Sequence, residues 1–156
     1  VFRLLSDERV TADQALAREL GCQVGDEWVQ ISGLRTLGDD GMPICLANVY
    51  VIPDYGSIAQ RLGGSSRPVY EMIAETFKES IENITIRLTA GVLSEQKAAI
   101  LGVEPGSPSL SVSRFYQGRG GRIFEASISE HPASNFSYTF EFTRGWQTAD
   151  HWSWSN

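Results

Sequence analysis

The sequence contains an internal repeat, and this repeat limits the folds open to the chain more than any other feature. Residues 20–26 (LGCQVGD) recur in similar form as residues 101–107 (LGVEPGS), and a short segment containing alanines precedes each copy. An alternating apolar pattern, a tight turn and a second apolar pattern follow each copy. Because self-similarity of this kind marks a duplicated structural unit, the sequence predicts two copies of helix, Leu-Gly turn, strand, turn and strand.

Hydrophobic periodicity extends this prediction to the rest of the chain, with alternation indicating strands and helical spacing indicating helices. The predicted strands are residues 27–37, 42–52, 84–90, 109–117, 122–130 and 136–142. The predicted helices are residues 12–20, 54–62, 68–81 and 94–101, the first with Thr11 as its N-cap and Gly21 as its C-cap. This order predicts an α+β fold, in which helices pack on an antiparallel sheet of about six strands. The duplication also predicts a ligand cleft between the two halves.

The composition excludes several classes of function. With 13 Lys and Arg against 19 Asp and Glu, the net charge is -6, and the chain lacks the basic surface that binding to a DNA backbone requires. No apolar run approaches the roughly 18 residues that span a bilayer, so we expect no membrane contact. Cys22, Cys45 and two histidines are too few and too far apart for a zinc site. We therefore expect reduced, buried thiols in a cytoplasmic protein, with no metal and no cofactor.

The sequence also lacks a recognisable catalytic motif. It contains no nucleophile elbow, no zinc-protease motif and no phosphate-binding loop between a strand and a helix. Ser127, Ser129 and His131 lie close together, but no acid is placed to orient the histidine. We therefore expect no catalysis.

Several polar residues occupy strand positions where apolar residues are expected. Arg35 and Arg114 each continue an apolar strand face, Arg87 lies within a third strand, and Glu125 shares a face with Ser127. Directed into one cleft, the guanidinium groups would bind a carboxylate or phosphate, and the glutamate would accept a hydrogen bond from a hydroxyl or an amine. Two plainer interpretations stay open at this point: a solvated polar face, or a cross-strand salt bridge between Arg114 and Glu125.

The order of these signals resembles the UTRA domain, the effector-binding part of the HutC-type branch of GntR-family transcriptional regulators. The likeness extends over residues 11–142. The motifs that carry it are residues 31–35 (ISGLR), 40–44 (DGMPI), 101–110 (LGVEPGSPSL), 125–127 (EAS) and 129–133 (SEHPA).

The resemblance implies a chorismate-lyase-like fold and a homodimer. It also implies a separate N-terminal winged helix-turn-helix domain that binds operator DNA, in agreement with a sequence that begins at Val1. A small anionic or polar metabolite in the cleft would alter operator binding. Family positions fall on Arg35, Tyr70, Glu125 and His131. With the strand residues above, the candidate effector site is Arg35, Tyr70, Arg87, Arg114, Glu125, Ser127 and His131.

The resemblance further implies how the chain is divided. Residues 1–10 would be the end of a linker, residues 11–145 the effector-binding domain, and residues 146–156 a tail with no assigned role. The chain departs from the family at Gly33, where many members have a second arginine, and at Ala47, where a glutamate is frequent.

Two other functions stay open from the sequence. One is a chorismate-lyase-like enzyme for an anionic aromatic acid, in which arginines bind carboxylates and Glu125 acts as acid or base. The other is a purely structural dimerisation module whose cleft is filled by its own side chains.

Overall fold

Six antiparallel strands form a single sheet in the computed structural model of the chain, which describes residues 1–38, 41–141 and 143. The strands are β1 (Phe2–Thr11), β2 (Glu27–Thr36), β3 (Pro43–Val51), β4 (Asn83–Val92), β5 (Pro108–Gln117) and β6 (Ile123–Pro132). The α-helices are α1 (Gln14–Leu20), α2 (Val69–Phe77) and α3 (Glu95–Leu101). Short 3₁₀ segments lie at Pro53–Arg61, Arg119–Gly121 and Ala133–Asn135. The predicted α+β class is confirmed.

The strand order β1-β2-β3-β6-β5-β4 shows that the sheet itself is duplicated. Each half has the order strand, helix, strand, strand, and β3 and β6 pair at the centre, with Asn48 opposite Ile128. The register repeats as well. The row Arg9, Val29, Val51 of the first half corresponds to the row Ala90, Leu110, His131 of the second.

The two repeat helices begin and end in the same way. Asp13 and Ser94 are the N-caps, and their side chains accept hydrogen bonds from the backbone N–H groups of Leu16 and Lys97. Gly21 and Gly102 end the helices in the left-handed conformation, both with φ 68° and ψ 33°, which glycine adopts without steric cost. The expected N-cap at Thr11 is wrong, because Thr11 is still paired with Glu27 in the sheet.

The sheet is covered on both sides. We call one side the α2 face, where Ile31 and Val49 pack with Ile58 of the 3₁₀ segment and Ile73 of α2. On the other side, which we call the α1/α3 face, Trp28 and Tyr50 pack with Leu20 of α1, and Leu34 and Leu46 pack with Leu101 of α3. As the run of apolar residues in β3 predicts, this central strand is buried on both faces.

The strands at the two ends of the sequence differ from the prediction. Phe2–Thr11 is edge strand β1, not the end of a linker; its largely exposed, polar residues give no alternation from which a strand could be predicted. Residues 136–141 are not a strand, because the sheet already ends at β1 and β4 and the chain leaves it after Ala133–Asn135. Phe142, Asp39, Asp40 and the predicted tail 146–156 lie outside the described residues.

Helix α2 is shorter than predicted. It ends at Phe77, and Lys78 adopts a left-handed conformation with φ 57°, so residues 79–81 do not extend the helix. Over the described part of the chain, no helix is long and apolar enough to cross a membrane. Cys22 is half-buried and Cys45 is buried, and both thiols are free.

Candidate functional site

A group of polar side chains interrupts the α2 face of the sheet at its centre. Along β3 this face carries apolar residues, but the residues paired with them on β6 are polar: Glu125 lies opposite Val51, and Ser127 lies opposite Val49. On the next strand, Arg114 lies opposite Ser127. We call these polar residues, together with Arg35 and His131, the polar cluster.

Glu125 is the most deeply buried charged residue of the polar cluster. The residue is only 2% exposed, and its Oε2 atom has no hydrogen-bond partner among the described residues. Burial raises the pKa of Glu125 to about 8, against the weaker opposing effect of the Arg35 charge. A carboxyl group with this pKa is mainly protonated, and therefore uncharged, at neutral pH.

His131 is also buried without a full set of partners. The residue is 7% exposed, and its Nδ1 atom has no hydrogen-bond partner in the part of the chain that the structure describes. Its ring stacks on Phe136 with 3.6 Å between centroids. Burial, assisted by the positive charge of Arg114, lowers the pKa of His131 to about 4. The imidazole is therefore neutral at physiological pH.

Arg35 and Arg114 are half-buried, and neither side chain forms an ion pair or a hydrogen bond with any residue that the structure describes. The alternative of an Arg114–Glu125 salt bridge is therefore wrong. The Arg35 guanidinium lies 5.6 Å from the centroid of the Phe2 ring, and the Arg114 guanidinium lies 5.8 Å from that of Tyr138. Both distances are typical of cation–π contacts.

Tyr70 reaches the polar cluster from the first turn of α2. Its ring stacks on Tyr116 with 4.6 Å between centroids, and its hydroxyl donates to Glu71 at 3.2 Å. Tyr116 is the cross-strand partner of Glu125. Burial, followed by the negative charge of Glu125, raises the pKa of Tyr116. The stacked rings of Tyr70 and Tyr116 therefore lie beside the buried carboxyl group.

Arg87 does not join the other candidates. It is paired with Ser113, whereas its neighbour Ile86 is paired with Arg114, so the Arg87 side chain lies on the α1/α3 face. There its guanidinium lies 5.2 Å from the centroid of Phe115. The expectation that Arg87 points into the shared space is wrong, because alternation along β4 places it on the opposite side of the sheet.

Three residues of the candidate site are not among those predicted from the sequence. Ser129 follows from alternation along β6 after Glu125 and Ser127, and that signal was present in the sequence. Phe2 and Tyr138 come from the two ends of the described chain, and only the tertiary structure brings them to the arginines.

Phe2 also explains why position 33 has no room for a residue larger than glycine. A Cβ atom built on Gly33 would lie 2.2 Å from Cζ of Phe2 and 2.8 Å from the carbonyl oxygen of Arg3. The ring of Phe2 thus fills the space above Gly33 on the α2 face, beside Arg35.

Two other kinds of site are a metal-binding group and a surface pocket away from the polar cluster. Within the described residues, no group of three or more His, Cys, Asp or Glu is placed to hold a metal ion. A surface depression of about 510 Å³ lies near the β5–β6 turn, but its lining contains none of the candidate residues. The depression is lined by Glu82, Asn83 and residues 117–121.

The chain is similar to a known family in sequence and to solved structures in fold. The family model of the UTRA domain matches residues 1–137. Among curated protein sequences, none matches the chain. The ligand-binding domain of a GntR-family transcriptional regulator from Bordetella bronchiseptica is 26% identical and superposes with a TM-score of 0.75, covering 92% of each chain.

Two further solved structures share the fold at lower identity. PhnF from Mycobacterium smegmatis is 18% identical with a TM-score of 0.75, over 92% of this chain and 62% of that one. A GntR-family regulator from Bacillus cereus is 18% identical with a TM-score of 0.76, over 92% of this chain and 98% of that one.

Proposed function

Because the chain belongs to the UTRA family of effector-binding domains, we propose that the polar cluster binds a small anionic or polar metabolite and thereby controls a bacterial transcriptional regulator. The ligand would contact Arg35, Arg114, Glu125 and His131 directly. Tyr70 and Ser127 would border the same space.

One observation carries this proposal: the cluster holds polar groups that are buried or half-buried and lack partners. Buried polar atoms are almost always hydrogen-bonded in folded proteins, yet Oε2 of Glu125 and Nδ1 of His131 have no partner within residues 1–38, 41–141 and 143. Two guanidinium groups that form no ion pair with any described residue give the site a positive charge, since Glu125 and His131 are both neutral near pH 7. Such a site favours an anion that also presents hydrogen-bonding groups.

The regulatory part of the proposal concerns the rest of the protein. The chain spans 62% of the length of Mycobacterium smegmatis PhnF. We propose a HutC-type arrangement, in which an N-terminal winged helix-turn-helix domain binds operator DNA and the protein acts as a cytoplasmic homodimer. The metabolite would change operator affinity by binding one arrangement of the dimer more tightly than the other, which is a coupling free energy.

A second candidate function is favoured by one specific property of Glu125. A carboxyl group whose pKa is about 8 is protonated at neutral pH, as a general acid must be. This property suits a chorismate-lyase-like enzyme, and conversion of chorismate by the purified chain would support that function. We favour the sensor, since the similar solved structures are domains of transcriptional regulators.

The sensor proposal is tested by a thermal-shift screen with sugar phosphates, amino acids, organic acids and phosphonates. A ligand at about 100 times its Kd adds roughly 2.7 kcal/mol of stability, which raises the Tm by several degrees. We expect Arg35→Ala and Arg114→Ala to abolish the shift. The matched control, Arg87→Ala on the opposite face, should keep it. A shift that survives in both cluster variants would place the site elsewhere, and a flat screen would favour a structural dimerisation module.

The proposed homodimer has its own measurement. Light scattering of the purified chain should give twice the monomer mass, and a monomer mass would contradict this part of the proposal.

A further inference from the structure

Both arginines of the polar cluster lie against aromatic rings that come from outside their own strands. Phe2 belongs to edge strand β1, and Tyr138 belongs to the segment that follows β6. Each ring lies within 6 Å of one guanidinium carbon, at 5.6 Å for Arg35 and 5.8 Å for Arg114. These rings are the partners that the two guanidinium groups have among the described residues.

We propose that Phe2 and Tyr138 are positioning residues of the effector site, holding the two guanidinium groups so that their N–H donors are available to carboxylate or phosphate groups of the ligand. This inference rests on the proposed function, because it assumes that the polar cluster binds an anion. It adds two residues to the site and names the oxyanion as the group that is recognised.

The physical basis is the shape of the guanidinium group. It is planar, its five N–H donors lie in the plane, and its face stacks on an aromatic ring. An acidic partner would instead occupy the donors and neutralise the charge. Neither guanidinium forms an ion pair or a hydrogen bond with a described residue. The ring contacts at Arg35 and Arg114 therefore restrict each side chain while its donors stay available to a ligand.

Phe2 is a rigid support for Arg35. The residue is 1% exposed, its backbone N–H donates to the Ser65 carbonyl at 2.9 Å, and its carbonyl accepts from the Gly64 N–H at 3.0 Å. The loop that holds Phe2 in this way leads into α2, which carries Tyr70. Phe2 thus links Arg35 to the loop that precedes α2.

Tyr138 supports Arg114 from a segment that has no regular structure. Its ring lies 4.7 Å from that of Phe140 and 6.3 Å from that of Phe136, which in turn stacks on His131. Residues 136–140 therefore lie over the cluster through aromatic contacts to Arg114 and His131. Because Tyr138 is half-buried, it can be substituted with little risk to the core.

The test uses the whole chain and inorganic phosphate as the anion. Arginine Nε–Hε signals of Arg35 and Arg114 are followed by NMR during a phosphate titration, with sodium chloride at matched ionic strength as the reference. A cation–π contact at this exposure corresponds to about a two- to five-fold change in Kd. We expect Tyr138→Leu to weaken phosphate binding by that factor, and Tyr138→Phe to rescue it, because the ring and not the hydroxyl contacts Arg114.

Phe2→Leu is the matching test for Arg35, with Phe77→Leu as its control, since Phe77 stacks on Tyr55 in the same core cluster. Phe2→Leu should weaken phosphate binding by a similar factor, and Phe77→Leu should not. If Phe2→Leu fails to fold, the positioning role is tested by Tyr138→Leu and Tyr138→Phe alone.

The outcomes separate this inference from the proposed function. Loss of phosphate binding in Arg35→Ala and Arg114→Ala, together with unchanged affinity in Tyr138→Leu, overturns the positioning role and leaves the anion site intact. Unchanged affinity in both arginine variants overturns the anion site, and the positioning role with it. Equal weakening by Tyr138→Leu and Tyr138→Phe assigns the effect to the hydroxyl and also overturns the inference.

Discussion

Glu125 on β6 lies directly opposite Tyr116 on β5, on the same face of the sheet. The direct cross-strand neighbour of the buried carboxyl group on β5 is therefore an aromatic ring and not a cation. Arg35 acts on it only weakly compared with burial, and the pKa of Glu125 is raised to about 8. The stability of the protein must then depend on pH in a defined direction.

We expect Glu125→Gln to raise the stability of the free protein at pH 8 but not at pH 4.5. Between the ordinary pKa of 4.5 and about 8, the unfolded chain has lost the Glu125 proton while the native chain keeps it. The contribution of Glu125 to the free energy of unfolding therefore falls as pH rises through this range and levels off above it. Glutamine does not titrate, so the Tm difference should grow to several degrees at pH 8.

The control for this measurement is Glu104→Gln, which removes one negative charge at an exposed position. Thermal melts at half-unit pH steps compare the three proteins. Parallel pH profiles of Glu125→Gln and wild type would show that the carboxyl is ionised in the folded protein.

His131 should produce a pH dependence of the opposite sign. Its pKa falls from 6.5 to about 4 in the folded chain, so the unfolded chain takes up a proton below about pH 6.5 while the native chain does not. Stability is therefore lost as pH falls from about 6.5 to about 4. Because Glu125 acts in the opposite direction over part of this range, we compare His131→Gln with its parent in the Glu125→Gln background. The double variant should lose less Tm between pH 7 and pH 4.5, and an equal loss would contradict the neutral, buried imidazole.

The duplicated helices should respond equally to loss of their caps. Asp13→Ala and Ser94→Ala each remove one acceptor for a backbone N–H at the start of a helix, and each should cost about 1 kcal/mol in chemical denaturation. Thr11→Ala is the control, because Thr11 is an exposed strand residue and caps nothing. A larger loss for Thr11→Ala than for Asp13→Ala would argue for the capping box that the sequence alone suggests.

The duplicated fold could be predicted from local signals. The Leu-Gly repeat predicts matched helix ends, and Gly21 and Gly102 indeed share one conformation. Alternation in β2, β5 and β6 predicts the antiparallel sheet. Local signals did not predict β1, because it is an edge strand with mostly exposed residues. The other edge strand, β4, was predicted over residues 84–90 from its alternating pattern.

The site could be predicted only in part, for a related reason. Alternation along a strand tells which residues share a face, and this was enough to group Glu125 with Ser127. It does not tell which face of one strand matches which face of another, because that depends on register. Arg87 was therefore assigned to the cleft although it lies on the opposite side of the sheet. The aromatic partners Phe2 and Tyr138 depend on chain ends whose paths no periodicity encodes.

The contact between Gly33 and Phe2 gives the sharpest mutational contrast. Gly33→Ala places a Cβ atom 2.2 Å from the Phe2 ring and 2.8 Å from the backbone oxygen of Arg3. Since the ring is buried and the oxygen belongs to a paired strand, neither can yield freely, and overpacking of this kind costs about 1–3 kcal/mol. Gly91→Ala is the matched control in β4, because its Cβ atom would meet nothing closer than Ser109 Oγ at 3.7 Å. Chemical denaturation should show a clear loss of unfolding free energy for Gly33→Ala and almost none for Gly91→Ala.

The same substitution should also weaken phosphate binding. Because the displaced ring lies against the Arg35 guanidinium, phosphate affinity should fall in Gly33→Ala as well. If Gly33→Ala is as stable as Gly91→Ala, the Phe2 ring moves without cost and cannot hold Arg35 in place.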